Sequence, residues 1–363
     1  MTADAVGGVW TYAMALGGEL SRRGVDVVLA VMGPPPSEEQ RKEAKCTPRL
    51  VLVSAEFKLE WMQAPWTDVA RAGDWLLALA AEHRADLVHL NGYAHAALPW
   101  TQPVLVVAHS CVCSWWQAVH GSAPPAEWDD YRRCVAGGLA AADYLAAPTQ
   151  AFLDEIRRCY ETTTPASVIH NARPTAPFAW DAYARREEFI FASGRLWDKA
   201  KNMMTLDTAV RALPWRTYAA GGVDSPDGER FGGRSMELLG RLSERELASW
   251  LKRAAIYVHP AKYEPFGLSV LEAALAGCAL VLADLPTLRE SWGDAALYAN
   301  PHDAAALRVQ IERLIADPAL RQRLAGAAMK RARGFGLRNM GQRYSDLYTA
   351  LRARGRTRER AVA

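Results

Sequence analysis

The sequence lacks the features that would assign it to a membrane, nucleic-acid-binding or disulfide-rich class. No run reaches the ~18 consecutive apolar residues of a transmembrane helix, and no basic stretch followed by an apolar run opens the chain. The net charge is only +3, so no basic field indicates nucleic acid as a partner. The six cysteines are scattered, without the spacing of a disulfide framework or a zinc site. We therefore expect a cytoplasmic protein without a metal site.

What the sequence does contain is enough apolar material for two α/β cores. Its 363 residues exceed one ordinary domain, and half of them are hydrophobic. Short buried-strand patterns alternate with helical patterns, which is typical of a parallel sheet with crossover helices. This organisation predicts an N-terminal domain over 1–172, a linker over 173–187, a second domain over 188–335, a helix over 336–353 that packs back on the N-terminal domain, and a basic tail over 354–363.

The alternation also predicts where a ligand would bind. Open α/β sheets bind ligands at the carboxyl ends of their strands, so two such domains in tandem are expected to share a cleft there. The first strand is an exception, because the four residues before the first glycine loop supply only its last part. We expect from this that the natural product begins upstream of Met1.

The most informative stretch runs from Tyr263 to Ala274, between two predicted buried strands. Pro265 and Gly267 place Glu264 in a turn and predict a helix from about Leu268. The first amides of a helix have no partner within it, and they suit a phosphate.

Glu272 is the one charged residue in an otherwise apolar helical stretch. A buried carboxylate requires hydrogen-bond donors, because leaving it unpaired costs several kcal/mol. The two hydroxyls of a ribose would supply them. A structural carboxylate that caps a loop is the equally weighted alternative on physical grounds.

Several motifs follow one another in a recognisable order. Glu264 and Glu272 form an E-x7-E pattern, preceded by His-Pro-Ala-Lys-Tyr and followed by Ala-Gly-Cys-Ala-Leu-Val-Leu-Ala-Asp. Upstream lie Ser-Gly-Arg-Leu at 193–196 and Leu-Gly-Arg-Leu at 239–242. In this order the chain resembles the retaining, group 1 type glycosyltransferases of family four. The resemblance implies the GT-B fold, an α/β fold with two doubly wound Rossmann-like domains facing an interdomain cleft.

The resemblance also assigns roles in the second domain. Arg195 and Lys201 would hold the donor pyrophosphate, Glu272 would bind the nucleotide ribose, and Glu264 would act catalytically by orienting the donor sugar. Backbone groups around Phe266, Gly267 and Leu268 would complete the phosphate cradle. Lys201 lies one residue farther from Arg195 than the commonest family spacing, which leaves Lys199 as a competitor. We favour Lys201 because Asn202 and a predicted helix follow it.

In the N-terminal domain the resemblance points to two places. Gly7 and Gly8 match the family's glycine loop, where glycine permits close backbone approach to the donor. His109, at the end of a predicted strand, matches a histidine beside the reacting centre and is the second candidate catalytic residue.

These roles imply an enzyme that moves a hexose from a nucleotide-diphosphate sugar to an acceptor, with retention of anomeric configuration and without a metal or other cofactor. The expected partners are the donor and a glycan, lipid-linked or small-molecule acceptor. The five arginines between Arg352 and Arg360 leave peripheral contact with the inner membrane face open as an alternative. A catalytically weak GT-B subunit that binds a nucleotide sugar or a partner glycosyltransferase is the alternative function.

Overall fold

The computed structural model describes residues 1–179, 186–225 and 228–362. They form two compact units. The first unit comprises Met1–Gln117, Ser122–Ala172 and Leu337–Ala363, and the second comprises Ala118–Gly121 and Arg173–Gly336. Among the described helices, none combines the length and hydropathy needed to cross a bilayer.

The first unit contains seven short parallel strands among its described residues. The strands are β1 (Thr2–Asp4), β2 (Val27–Met32), β3 (Leu50–Ser54), β4 (Val88–Leu90), β5 (Val104–Val107), β6 (Tyr144–Ala147) and β7 (Ala166–Val168). They form two sheets, of order β1-β2-β3 and β4-β5-β6-β7. The helices between Met1 and Ala172 are α1 (Gly8–Arg22), α2 (Glu38–Lys45), α3 (Trp66–Glu82), α4 (Val112–His120), α5 (Asp129–Ala141) and α6 (Gln150–Tyr160), with 3-10 turns at Ala94–Ala97 and Ala126–Trp128.

The first strand is as short as the sequence predicts. β1 pairs with β2 from Thr2, opposite Ala30, to Asp4, opposite Met32. Between β1 and β4 the described chain has no backbone ladder, and the side chain of Asn91 connects the two strands instead. Its amide nitrogen Nδ2 donates to the Thr2 carbonyl over 2.7 Å, and its backbone N–H donates to Thr2 Oγ1 over 2.9 Å.

The second unit contains one six-stranded parallel sheet. Its strands are β8 (Glu187–Ser193), β9 (Arg216–Ala220), β10 (Glu237–Gly240), β11 (Ala254–His259), β12 (Ala279–Ala283) and β13 (Ala296–Ala299). The order β10-β9-β8-β11-β12-β13 is the 3-2-1-4-5-6 arrangement of a doubly wound fold. The helices are α7 (Met203–Ala209), α8 (Glu244–Arg253), α9 (Leu268–Leu275), α10 (Pro286–Trp292), α11 (Ala304–Ala316) and α12 (Pro318–Ala332).

The burial pattern explains why the central strands of the second unit are continuous apolar runs. Every residue of β11 and β12 is buried, as expected for parallel strands whose two faces are both covered by helices. Residues 173–187, the predicted linker, contain a 3-10 turn at Ala176–Phe178 and the first residue of β8, while 180–185 lie outside the described residues.

The last helix, α13 (Leu337–Val362), belongs to the first unit. Tyr344 is fully buried beside Tyr12 of α1, and Arg23 donates to the Gln342 side chain over 2.6 Å. The predicted helix end at residue 353 is wrong, because the helical backbone continues to Val362. The four arginines and one glutamate between residues 354 and 360 are good helix formers, which favours the continuation of the helix into the predicted tail.

Candidate functional site

The sheet of the second unit fixes the position of one group of predicted residues. β8 and β11 pair directly, with Ile190 opposite Ile256, and the order of the strands reverses between them. Such a switch point leaves a crevice at the carboxyl ends of the two strands. Arg195 follows the end of β8, and Glu264 follows the end of β11.

Glu264 has two close partners. Its Oε2 accepts a hydrogen bond from Lys201 Nζ over 2.7 Å and lies 3.0 Å from His259 Nε2. Burial by itself would raise the pKa of this carboxyl, but the Lys201 ammonium and the His259 hydrogen bond together hold it well below its usual range. Burial lowers the pKa of His259. Glu264 is therefore a carboxylate with an ordered donor set, and His259 is a neutral ring that donates to it.

The loop between β8 and α7 holds Lys201 in place. The Lys201 N–H donates to the Asp198 carbonyl over 2.8 Å, which closes a tight turn. The next residue, Asn202, takes a left-handed conformation with φ 58° and donates from Nδ2 to the carbonyls of Pro260 and Pro301. Asn202 thus ties this loop to the loop after β11, and the tie directs Lys201 toward Glu264.

Arg195 and Lys199 differ from Lys201 in exposure. The Arg195 side chain is 48% exposed and donates from Nη2 to Asp198 Oδ2 over 2.7 Å, so part of its guanidinium remains available to solvent. Lys199 is 62% exposed, and its Nζ lies 3.8 Å from a carboxylate oxygen of Glu229. Of the two lysines, Lys201 is the one beside Glu264.

Helix α9 begins at the same crevice. Gly267 precedes it with φ 90°, a conformation that glycine adopts without strain. Phe266 is buried and packs edge-to-face on Phe335, at 5.4 Å between ring centroids. The packing of Phe266 anchors the turn, so the first amides of the helix, beginning at Leu268, have a fixed direction.

Glu272, on the same helix, lies in a different environment. Arg173 Nε lies 2.7 Å from Glu272 Oε1, an ion pair whose N–H is not aligned as a hydrogen bond, and the other end of the guanidinium binds Glu244. Burial raises the pKa of Glu272 to about 7, against the lowering effect of Arg173. The carboxyl is thus only partly compensated. The structure places a protein cation, Arg173, beside the carboxylate for which the sequence left a choice between a ribose and a structural partner.

The predicted residues of the first unit form a separate group. Gly7 has φ 87° and precedes α1, with Gly8 as the first residue of the helix, and both are exposed. His109 Nε2 lies 2.9 Å from Asn91 Oδ1, and its ring meets Tyr12 edge-on at 4.5 Å. Burial lowers the pKa of His109 to about 4, which leaves the ring neutral near pH 7.

Three residues in these groups escaped the sequence analysis. His259 ends β11 five residues before Glu264, and its position at a strand end was the available signal. Arg173 is far from Glu272 along the chain, and no local pattern connects them. Asn91 follows β4, and nothing in its neighbourhood marks it. Within the described ranges no group of three His, Cys, Asp or Glu side chains is arranged to hold a metal ion.

Family models match two long segments of the chain. The model described as Glycosyltransferase Family 4 matches residues 6–176, and the model described as Glycosyl transferases group 1 matches residues 228–331. The chain belongs to the family-four, group 1 glycosyltransferases. His109 lies in the first match of this glycosyltransferase, and Glu264 and Glu272 lie in the second. Arg195 and Lys201 fall between the two matches.

The curated relatives of the glycosyltransferase match over short segments. Glycogen synthase of Mycobacterium tuberculosis is 40% identical over 100 residues, which is 27% of this chain and 24% of that protein. D-inositol 3-phosphate glycosyltransferase of Streptomyces avermitilis is 31% identical over 122 residues, or 33% and 26% of the two chains. The glycosyltransferase thus aligns with about a quarter of the length of these relatives.

Solved structures match almost the whole glycosyltransferase. Sucrose-phosphate synthase from Thermosynechococcus elongatus has a TM-score of 0.80 at 20% identity and covers 97% of this chain and 96% of its own. Anabaena HepE in complex with UDP-glucose has a TM-score of 0.73 at 16% identity, with 96% and 100% covered. At sequence identities this low, the similarity shows the fold alone. The fold is GT-B with two Rossmann-like α/β units.

Proposed function

We propose that this protein moves a hexose from a nucleotide-diphosphate sugar to an acceptor with retention of anomeric configuration. The observation that carries the proposal is the convergence of Arg195, Lys201 and the start of α9 at the switch point of the second sheet. Two cations and a set of helix amides are what a pyrophosphate requires.

The geometry of the second unit supports the roles that we propose. Charge grows on the pyrophosphate as the glycosidic bond breaks, and Arg195 and Lys201 would stabilise that charge. Glu264 remains ionised, so its oxygens accept hydrogen bonds from the hydroxyls of the donor sugar and orient the ring. His259 holds Glu264 in position. In the first unit, His109 would contact the reacting sugar, and Gly7 and Gly8 would allow the donor to approach the backbone.

Glu272 would bind the nucleotide ribose. Its Oε1 already contacts Arg173, and within the described residues no donor to Oε2 is present. A ribose hydroxyl that donates to Oε2 would compensate the rest of this buried carboxylate. The ribose and Arg173 would then share Glu272, and the two alternatives weighed from the sequence become compatible.

We also propose that the reaction needs no divalent metal, because two protein cations are available for the leaving group. EDTA treatment tests this point, with a metal-dependent glycosyltransferase as the control for effective chelation. Full activity in EDTA is the expected result. Loss of activity that Mg²⁺ or Mn²⁺ restores would contradict the proposal.

A cytoplasmic location completes the proposal. The six cysteines are scattered along the sequence without the spacing of a disulfide framework, as is common where thiols remain reduced. The acceptor is a glycan, a lipid-linked sugar or a small molecule, and a lipid-linked acceptor would bring the protein to the inner membrane face.

The direct experiment is a panel of UDP, GDP and ADP hexoses. UDP-glucose comes first, because the HepE structure holds it. A donor at 100 times its dissociation constant should stabilise the protein by about 2.7 kcal/mol in a thermal melt. Proton NMR of the transfer product should show the donor's anomeric configuration. An inverted product would contradict retention, and binding without transfer to any acceptor would favour the catalytically weak subunit.

A further inference from the structure

We infer that Asn91 is a positioning residue that fixes the imidazole of His109, with the proton on Nε2 and the lone pair on Nδ1. The inference rests on the proposed function for its catalytic meaning, since His109 is the group of the first unit that would contact the sugar. The arrangement of hydrogen bonds in the first unit carries it.

The orientation of the Asn91 side chain is fixed by Thr2. The Thr2 carbonyl can only accept a hydrogen bond, so the atom 2.7 Å from it must be the Asn91 amide nitrogen. The carbonyl oxygen Oδ1 therefore points the other way, toward the two histidines. A flipped amide would set two acceptors against each other at this distance.

The orientation of Asn91 determines the protons on both rings. Oδ1 lies 2.9 Å from His109 Nε2 and 3.2 Å from His89 Nε2, and as an acceptor it requires an N–H from each. In a neutral imidazole the other nitrogen then carries a lone pair. Burial lowers the pKa of both histidines, which keeps the rings neutral. Both rings are consequently Nε2–H tautomers.

The contact with Tyr348 of α13 is compatible with this assignment. Its hydroxyl lies 2.6 Å from His89 Nδ1. Nδ1 is an acceptor in the assigned tautomer, so the phenol O–H donates to it. The other titratable groups against the two rings are Tyr12 of α1, Tyr344 of α13 and, for His89, the amino group of Met1. None of these is a carboxylate that would favour a charged ring.

The chemical consequence concerns the free nitrogen of His109. The proton on Nε2 of His109 is donated to Asn91 Oδ1, and among the described residues Nδ1 has no hydrogen-bond partner. His109 can therefore accept a hydrogen bond from a substrate hydroxyl and cannot donate one. This selects a sugar with a hydroxyl at that position over one with a carbonyl or an ether oxygen there.

The first test needs no enzymatic turnover. Two-bond ¹H–¹⁵N correlation spectra of the full-length protein with labelled histidine distinguish protonated from unprotonated ring nitrogens, and His109→Gln and His89→Gln assign the signals. Both rings should be Nε2–H tautomers at pH 7. An Nδ1–H tautomer at His109 would overturn the inference. Failure of the proposed function would instead appear as an absence of sugar transfer, with the tautomer unchanged.

The second test uses matched variants on α13. Tyr348→Phe removes the hydroxyl that donates to His89 Nδ1, so the Nδ1 ¹⁵N signal should move to the position of a lone pair without a hydrogen bond, while Nε2 keeps its proton on Asn91. Tyr344→Phe removes the same group from the same helix, leaves the Tyr348 hydrogen bond in place, and should leave both His89 signals unchanged. Loss of the Nε2 proton in Tyr348→Phe, or equal Nδ1 signals in the two variants, would contradict the assignment.

The third test is kinetic. Asn91→Asp replaces the neutral oxygen with a carboxylate, which favours a protonated imidazole and raises the pKa of His109. Activity of the variant should then fall on the acid side, at a pH where the unmodified protein is still fully active. A uniform loss at every pH, with the profile unmoved, would show that Asn91 is structural only.

Discussion

Glu264 lies in the turn before α9 and Glu272 lies on that helix, yet the pKa values of the two carboxyls are shifted in opposite directions. Glu264 has two hydrogen-bond partners, Lys201 and His259. Beside Glu272 lies the guanidinium of Arg173, which also binds Glu244. The pKa of Glu264 is lowered, and the pKa of Glu272 is raised to about 7. Environments that separate two pKa values in this way allow separate roles for two carboxyls. Glu264 is a permanent carboxylate, and Glu272 can change its charge near neutral pH.

Replacing Lys201 by Ala should lower kcat/KM by about 10²-fold or more, because the proposed site then has one cation fewer to stabilise the leaving pyrophosphate. Lys199→Ala is the matched control and should change kcat/KM less than about threefold, since an exposed ion pair contributes little. Initial rates over a range of donor concentrations measure both variants. A larger effect at Lys199 would show that the lysine has been assigned wrongly.

If Glu272 binds the ribose as we propose, the affinity for the donor should rise with pH through about 7, because a ribose hydroxyl donates best to an ionised carboxylate. With that pKa about a tenth of the carboxyl is ionised at pH 6, so binding there should be up to ~tenfold weaker than at pH 8. Calorimetric titration with the nucleotide sugar at several pH values measures how the donor affinity changes with pH. Glu272→Gln should bind weakly and without this pH dependence. An identical slope in the variant would contradict the role of Glu272.

At the scale of elements, the turn before α9 depends on one glycine. Gly267→Ala would place a methyl group 3.1 Å from Val270 Cγ2 and 3.5 Å from Glu264 Cγ, at φ 90°. The left-handed conformation alone costs about 1–2 kcal/mol for alanine. We expect this loss in the free energy of unfolding by urea titration, together with reduced transfer because Glu264 is displaced.

Gly326→Ala is the control for the Gly267 prediction. Gly326 lies in the interior of α12 with no atom within 4 Å of the added methyl group, and the change should stabilise the protein by up to ~1 kcal/mol. If both variants were stabilised, the strain assigned to Gly267 would be refuted.

The elements also show what the sequence can and cannot predict. β11 and β12 are recognisable from the sequence because they are fully buried and almost entirely apolar, and β8 contains such a run from Phe189 to Ala192. β10 has no buried apolar run, since it is an edge strand whose residues remain partly exposed. The motif residues around Glu264 were predicted together because they are close in sequence. The Arg173–Glu272 pair and the Asn91 contacts depend on tertiary packing, which leaves no local pattern.

At the scale of the whole molecule, the two groups of residues belong to different units, which predicts separable defects. His109→Ala should lower sugar transfer by about 10²-fold, while calorimetric affinity for the nucleoside diphosphate stays within about twofold. Lys201→Ala should lower both. Equal loss of nucleotide affinity in the two variants would mean that nucleotide binding does not depend on the second unit alone.

The sheet of the first unit has a seam where β1 meets β4. In a continuous sheet many backbone hydrogen bonds would join β1 and β4, whereas here the hydrogen bonds between Thr2 and Asn91 connect them. Both strand sets also pack on one apolar core, which includes Leu29 of β2 and Leu105 of β5. Because the Asn91 side chain binds Thr2 across the seam and also binds His109, a displacement of β1 against β4 would be transmitted to the imidazole. The register of the two strand sets is thus coupled to the orientation of the side chain that we propose contacts the sugar.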